Sequence, residues 1–407
     1  MIKLDYPGKK PEKEILSAPP LAALQDENGV LQRTLLGENW LIASDNLNAL
    51  NWMLQECDMA GTIDMVYIDP PFATNKIFRH DETRVSTISS KNTSPVAYLD
   101  LLTGASFLEF LRERLILLRE VMADHGSIYL HIDYKVGHYV KILMDEIFGP
   151  TNFRADIARI KCNPKNFKRR NYGNQKDLLL FYTKSKDYVW NEPLQPFSRS
   201  EEERLYPKID SSGRRYTTVP LHAPGETRNG PTGRAWRGLL PPAGRHWRCA
   251  PDELEELDRQ YMIEWSKTGN PRRIIYADES SGRLLQDVWD MRDSPYPSYP
   301  TEKNSDMLKT IISTSSNPGQ TVLDCFCGSA STLIASVALD RHAIGVDQSP
   351  AAISVSQRRI LETPGCDFAF ASEYTDIAKR YPTNKAEPAT QLTLLQKRGR
   401  YAVKKVA

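Results

Sequence analysis

Ile63 to Ile68 is apolar or aromatic at every position but Asp64, and the run stops at Asp69-Pro70-Pro71. A stretch of this kind marks a strand buried on both faces, the central position of a parallel sheet. Neither proline can donate a ladder hydrogen bond, so the strand must end there. The rest of the chain has matching periods. WLIAS, SIYLHID, TVLDCFC and HAIGVDQS read as further strands, separated by the helical stretches NLNALNWMLQE, SFLEFLRERLILLREVMADHG, VGHYVKILMDEIFG, SDMLKTIIST, STLIASVALD and PAAISVSQRRILE. In the longest of these, Phe107, Leu111, Leu115, Leu118 and Met122 recur at three- and four-residue steps. Ser106 and Glu109 have capping-box spacing, and Gly126 reads as the stop. The alternation predicts an α/β fold, a doubly wound and mostly parallel sheet.

Between 191 and 298 the texture changes to Trp, Pro, Gly and short apolar runs, with PDELEELDRQ as its helical stretch, and an inserted module of short strands and loops is expected. The chain therefore divides into an extended lead-in (1–38), a first α/β part (39–190), the insertion (191–298), a second α/β part (299–384) and a basic tail (385–407). A formal net charge of +2 over 407 residues leaves any polyanion contact to local basic patches. The six cysteines lack paired metal-ligand spacing, so reduced thiols and no metal site are expected. With no apolar stretch of bilayer length and no leader-like start, a soluble cytoplasmic protein without membrane contact is expected.

Two constellations carry chemistry. The first is Asp69-Pro70-Pro71-Phe72, where a diproline leaves carbonyls without neighbouring donors beside a carboxylate and an aromatic ring. That set suits a planar, amino-bearing group, although a strand that simply ends in a diproline turn would read the same. The second is TVLDCFCGSAST, a strand running through a small-residue turn into a helix, followed by a strand ending in Asp347. Free N–H groups at a helix start and an acid placed for ribose hydroxyls make a nucleoside-binding geometry, with ordinary tight strand–helix packing as the alternative. Together they suggest transfer of a group from a nucleoside-bearing cofactor to an amine.

These residues resemble the S-adenosylmethionine-dependent amino-methyltransferases of DNA, in the permuted (beta) class that places the catalytic motif before the cofactor motif. The likeness covers about 39–190 and 286–362, and WRG and GRHWR in the insertion look similar to modification subunits of type III restriction systems. It implies a Rossmann-like methyltransferase fold with circularly permuted motif order and an inserted target-recognition module. Asp69, Pro70, Pro71 and Phe72 would be catalytic, with adenine N6 favoured by Asp before the prolines and cytosine N4 as the alternative. Asp324, Phe326, Cys327, Gly328 and Ser329 would line the cofactor's methionine side and Asp347 its ribose. Asp45 and Asn46 would lie near its adenine end or the target pocket, and Thr301 and Lys303 would reach its carboxylate. Ala330 stands where the family turn has a second glycine, and Ser44 where a glycine often precedes the acid; the competing classes are a subunit that binds DNA with a decayed cofactor site and a protein or RNA amino-methyltransferase with a similar Pro-Pro motif, which typically places the cofactor motif first. The absence of a Pro-Cys dipeptide argues against a thiol nucleophile acting on ring carbon 5 of cytosine.

The target base must leave the duplex to reach such a pocket, with Phe72 or Tyr67 as stacking partner. RIKCNPKNFKRRNYGNQK, from Arg159 to Lys176, has seven Lys/Arg and no acid. Lys165, Lys168, Arg169 and Arg170 are its candidate phosphate contacts. In the insertion Arg214, Arg215, Arg228, Arg234 and Arg237 are candidate base readers. Double-stranded DNA is the expected partner, and a restriction endonuclease subunit and a homodimer are compatible with the resemblance.

Overall fold

The two motif-bearing strands lie more than two hundred residues apart in sequence and side by side in space. In the computed structural model Ile63–Ile68 pairs in parallel with Thr321–Asp324, Met65 opposite Val322 and Val66 opposite Leu323. The structure describes residues 2–71, 76–79 and 96–100 (backbone), 104–164, 166, 168, 170–267, 269–280, 282–293 and 302–373. Phe72, Lys165, Arg169, Thr301 and the basic tail lie outside the described residues.

The chain forms two compact units, Met1–Asn191 with Gln286–Ala407, and Glu192–Leu285. The first carries an eleven-stranded sheet. In chain order its strands are β1 (Gln25–Asp26), β2 (Gly29–Val30), β3 (Trp40–Ala43), β4 (Ile63–Ile68), β5 (Met122–Ile132), β6 (Phe153–Ile160), β7 (Lys176–Thr183), β8 (Val288–Asp290), β9 (Thr321–Asp324), β10 (His342–Asp347) and β11 (Ala369–Ser372). Their order across the sheet is β8-β6-β7-β5-β4-β9-β10-β3-β11-β1-β2. The six strands from β5 to β11 run parallel, while β7 is antiparallel to both its neighbours. This is the doubly wound sheet the alternation predicts, with all of β4 but Asp64 buried. Helices α1 (Glu12–Ser17), α2 (Asn46–Glu56), α3 (Gly104–Val121), α4 (Gly137–Phe148), α5 (Ser305–Ser315), α6 (Ser331–Val337) and α7 (Pro350–Glu362) accompany the sheet. Among the described residues no helix is long and apolar enough to cross a membrane.

Three local expectations change. The lead-in is part of the core: Leu24, Leu31 and Leu35 are fully buried, and Lys9 is 2.7 Å from Glu146. Single apolar residues without a period conceal this in the sequence. Helix α3 starts at Gly104, so Ser106 lies inside it. The Glu109 carboxylate accepts from the Tyr6 hydroxyl at 2.7 Å and the Lys10 N–H at 3.0 Å, a tertiary latch between the helix and the lead-in. The helix gives way to β5 after Val121, and Gly126 sits within that strand, where an added Cβ would come 2.8 Å from the Ala123 carbonyl.

The second unit holds a four-stranded antiparallel sheet from Lys208–Ile209, Arg215–Pro220, Pro271–Tyr276 and Ile263–Trp265. Its own core is Leu221, Trp236, Trp247, Leu254 and Ile263. It ends at Leu285, short of the expected 298, because Val288–Asp290 joins the large sheet in parallel with β6. Two helices, Arg199–Leu205 and Pro251–Arg259, complete it, the first capped by a Ser198/Glu201 box.

Candidate active site

Parallel strands end together on one side of the sheet, and the chain there leaves carboxylates behind. At the end of β4, Asp69 Oδ2 is 2.9 Å from Lys303 Nζ. Asp69 Oδ1 is buried and takes no hydrogen bond from any described residue. A buried acceptor without a donor costs on the order of 1–3 kcal/mol, so the chain retains an unfavourable feature at the position where an incoming N–H would find a partner. Pro70 is buried directly after it. Lys303, expected on a cofactor carboxylate, has its Nζ on Asp69. Tyr67 offers no face for a base to stack on: it is 1% exposed and its hydroxyl lies 3.0 Å from His131 Nδ1.

One strand over, the carboxylates are tied to the backbone. Asp324 Oδ1 accepts the Phe326 N–H at 3.0 Å. Burial pushes its carboxyl up to about 7, with the charges of Asp69 and Asp347 adding to the rise. At the end of β10, Asp347 accepts from Gly328 N–H at 3.0 Å on Oδ2 and from Ser349 N–H at 2.8 Å on Oδ1. Burial raises this carboxyl too, against those N–H bonds. The turn between them is held from behind: the Ser356 hydroxyl donates to the Gly328 carbonyl at 2.7 Å, and Arg359 Nη1 to the Ser329 carbonyl at 2.7 Å. Gly328 has φ +52° and Ala330, fully buried, has φ +63°. The left-handed backbone that suits glycine is therefore used at Ala330 as well, at a cost of about 1–2 kcal/mol. Cys327 and Ser329 are buried within this turn.

Asp45 and Asn46 follow β3. The Asp45 carboxylate caps α2 by accepting the Leu47 N–H at 2.8 Å, and Arg114 lies 3.4 Å away. Asn46 accepts from Arg114 Nε at 2.5 Å and donates to the Cys325 carbonyl at 2.8 Å. Asn46 thus braces α2 against the turn after β9, and Asp45, half-exposed, is the more open of the two.

Of the basic candidates, Lys168 and Arg170 are exposed on the connection between β6 and β7. Within the second unit Arg237 is held by Glu255 at 2.6 Å and Asp258 at 2.5 Å, and Arg214 by Asp278 at 2.8 Å and Glu279 at 3.0 Å. Arg234 is exposed, and among the described residues no acid is paired with it.

Sequence reasoning missed the charged group behind Asp69. His131, fully buried on β5, has Nδ1 3.8 Å from Asp69 Oδ1 and Nε2 3.3 Å from Asp177 Oδ2. Asp177, the second residue of β7, is 2.5 Å from Lys161. Arg159 Nη1 lies 4.0 Å from Asp177, and its other end pairs with Asp293. The available signal was a histidine inside the apolar YLHI and an aspartate opening the apolar run DLLLFYT.

Fold and site together define a doubly wound α/β protein with a polar site at the carboxyl ends of its central parallel strands, the usual ligand position in such sheets. The DNA methylase model of N6 and N4 methyltransferases matches residues 63–358, and the chain belongs to that family. It is 42% identical over 365 residues to the type II methyltransferase M.EcaI of Enterobacter cloacae, covering 88% of this chain and 77% of that one. It is 25% identical over 346 residues to the Mod subunit of the type III restriction-modification enzyme StyLTI of Salmonella typhimurium, covering 78% of this chain and 52% of that one. A putative DNA modification methylase of Thermus thermophilus, solved with S-adenosyl-L-methionine, superposes with a TM-score of 0.42 at 12% identity over 82% of this chain and 97% of that one. The protein is an enzyme that methylates DNA, as the resemblance implied.

Proposed function

We propose that the chain methylates the exocyclic N6 amine of an adenine flipped out of double-stranded DNA, at a specific sequence, with S-adenosyl-L-methionine as donor. The observation that carries this is the unpaired, buried Asp69 Oδ1 at the end of β4. S-adenosylmethionine supplies an electrophilic methyl group on a sulfonium. Phe326, Gly328 and Asp347 would hold it, and the donor set fits: a small-residue turn and two carboxylates at adjacent strand ends. Asp69 Oδ1 accepts one N–H of the amine and draws its lone pair out of conjugation with the ring, while Lys303 fixes the other oxygen of the carboxylate. The Pro70 carbonyl is the second acceptor, and Phe72 the face on which the base stacks. Lys168, Arg170 and their neighbours Lys165 and Arg169 grip phosphates, and Arg234, exposed and paired with no acid among the described residues, is a candidate to read a base.

The preference for adenine rests on Asp in front of the two prolines. The chain acts in the cytoplasm within a restriction-modification or related system, the setting named for the StyLTI relative. A restriction endonuclease subunit and a second copy of the chain are the protein partners compatible with it. Hydrolysis of methylated DNA to nucleosides, with mass identification of the product, tests the reading: N6-methyladenine is expected, and N4-methylcytosine as the main product would overturn the assignment of the base.

A further inference from the structure

The group behind Asp69 is built so that a proton is missing from one particular place. His131 is enclosed by Tyr67 and Asp69 from β4, Asp177 from β7, and Lys303 ahead of α5, with Lys161 and Arg159 of the β6 side on the far face of Asp177. Burial pushes the Asp177 carboxyl up, but its contacts with His131 and with Lys161 outweigh it and hold the acid below the ordinary carboxylate range; Lys161 at 2.5 Å and Arg159 at 4.0 Å are the permanent cations that keep it ionised. An ionised carboxylate only accepts, so the 3.3 Å contact requires the proton of His131 to sit on Nε2. Burial, followed by the Lys303 charge, lowers the imidazole's own pKa, which leaves the ring neutral with one proton. Burial likewise keeps the Tyr67 phenol protonated, and its O–H donates to Nδ1 at 3.0 Å. The nitrogen nearest Asp69 Oδ1 therefore carries a lone pair that is already used.

Resting on the reading of Asp69 given above, we propose that His131 is a positioning residue for methyl transfer. Asp177 fixes its Nε2–H tautomer, so that Nδ1 takes the Tyr67 proton and Asp69 Oδ1 stays open to the target amine. The 3.8 Å between Nδ1 and Oδ1 is what two acceptors keep between them. In the other tautomer an Nδ1–H would be given to the Tyr67 oxygen, and the displaced phenolic proton, in the field of the neighbouring Asp69 charge, would compete with the substrate for the Asp69 lone pair. Orienting an imidazole through a buried carboxylate is familiar from hydrolytic triads, where the histidine itself takes a proton. Here its task is to withhold one.

Asp177→Asn tests this. Lys161 can only donate, so it claims the new amide oxygen and turns the NH2 toward His131 Nε2, which must then accept; the ring proton moves to Nδ1. Long-range nitrogen-15 spectra of the histidine rings should show Nε2–H in the wild type and Nδ1–H in the variant. Single-turnover methylation should slow roughly 10- to 100-fold, the worth of one hydrogen bond to a charged acceptor, with unchanged affinity for S-adenosylmethionine. Asp177→Glu, which keeps the carboxylate, should recover the Nε2–H signal and most of the rate. A tautomer change without the rate loss, or the rate loss without the tautomer change, overturns the proposal. Should Asp177→Asn fail to fold, the wild-type spectrum decides, since an Nδ1–H or doubly protonated His131 overturns it directly. Failure of the parent reading looks different: Asp69→Ala would then retain turnover.

Discussion

Asp69 and Asp324 end two adjacent parallel strands, and the chain treats them in opposite ways. Asp324 gives its Oδ1 to the Phe326 N–H, and burial shifts its titration to about 7. Asp69 holds a lysine on one oxygen and keeps the other buried without a donor. A carboxylate bonded to its own backbone fixes the shape of a turn. A carboxylate with an open oxygen is equipped to meet something that arrives. The same contrast separates β10 from β4, since Asp347 also gives both oxygens to backbone N–H groups. On the proposed reading the cofactor side is a preformed turn, and the target side is an incomplete hydrogen-bond pair that the substrate would complete.

The largest effect expected from this contrast is on Asp69. Asp69→Ala should lower the methylation rate by ~100-fold or more, comparable to removing one preorganised electrostatic contact from a transition state. Turnover near the wild-type level would place the chemistry elsewhere and dissolve the distinction between the two carboxylates.

Asp324 should instead register in stability. Its folded pKa, about 7, lies above the ordinary 3.8, so between these values the folded chain binds a proton that the unfolded chain has released. The stabilisation from that proton is complete below about pH 4 and is lost as pH rises through about 7. Asp324→Asn cannot titrate and keeps an acceptor for Phe326. Urea unfolding at about pH 5 and about pH 8 should show the wild type losing stability relative to the variant as pH rises, and parallel behaviour would show that Asp324 does not titrate there.

The smallest effect concerns the turn itself. Ala330→Gly relieves a left-handed alanine, and after the added freedom of glycine in the unfolded chain a net gain of roughly 0.5–1 kcal/mol is expected. Thermal unfolding checks it. A loss of stability would mean that the buried Ala330 methyl contributes more in packing than its φ of +63° costs.

The sequence discloses whatever is periodic or punctuated. Strand β4 and its diproline end, the turn after β9 and the acid closing β10 are all visible as runs and stops, and pairing β4 with β9 follows once both are assigned to one parallel sheet. Leu24, Leu31 and Leu35 are invisible because each is an isolated apolar residue in a polar segment whose burial depends on the rest of the fold. The helix Arg199–Leu205 was within reach, since Ser198 and Glu201 have capping-box spacing. His131 and Asp177 were out of reach as a pair: β7 is antiparallel to β5, and the register that sets His131 opposite Leu179 brings Asp177 to the imidazole. No motif encodes a contact that depends on register across strands. Arg237, a basic residue that reads as a contact for DNA, likewise has partners no motif announces, Glu255 and Asp258.

The most direct test of the division between the two strand ends is an equilibrium titration of Asp69→Ala with S-adenosyl-L-methionine beside its methylation assay. With Asp69 serving the target amine, as proposed, and the turn after β9 braced without it, a dissociation constant equal to that of the wild type is expected in a protein that no longer methylates DNA. A variant whose cofactor affinity falls in step with its activity would contradict it, and would place Asp69 in the cofactor pocket.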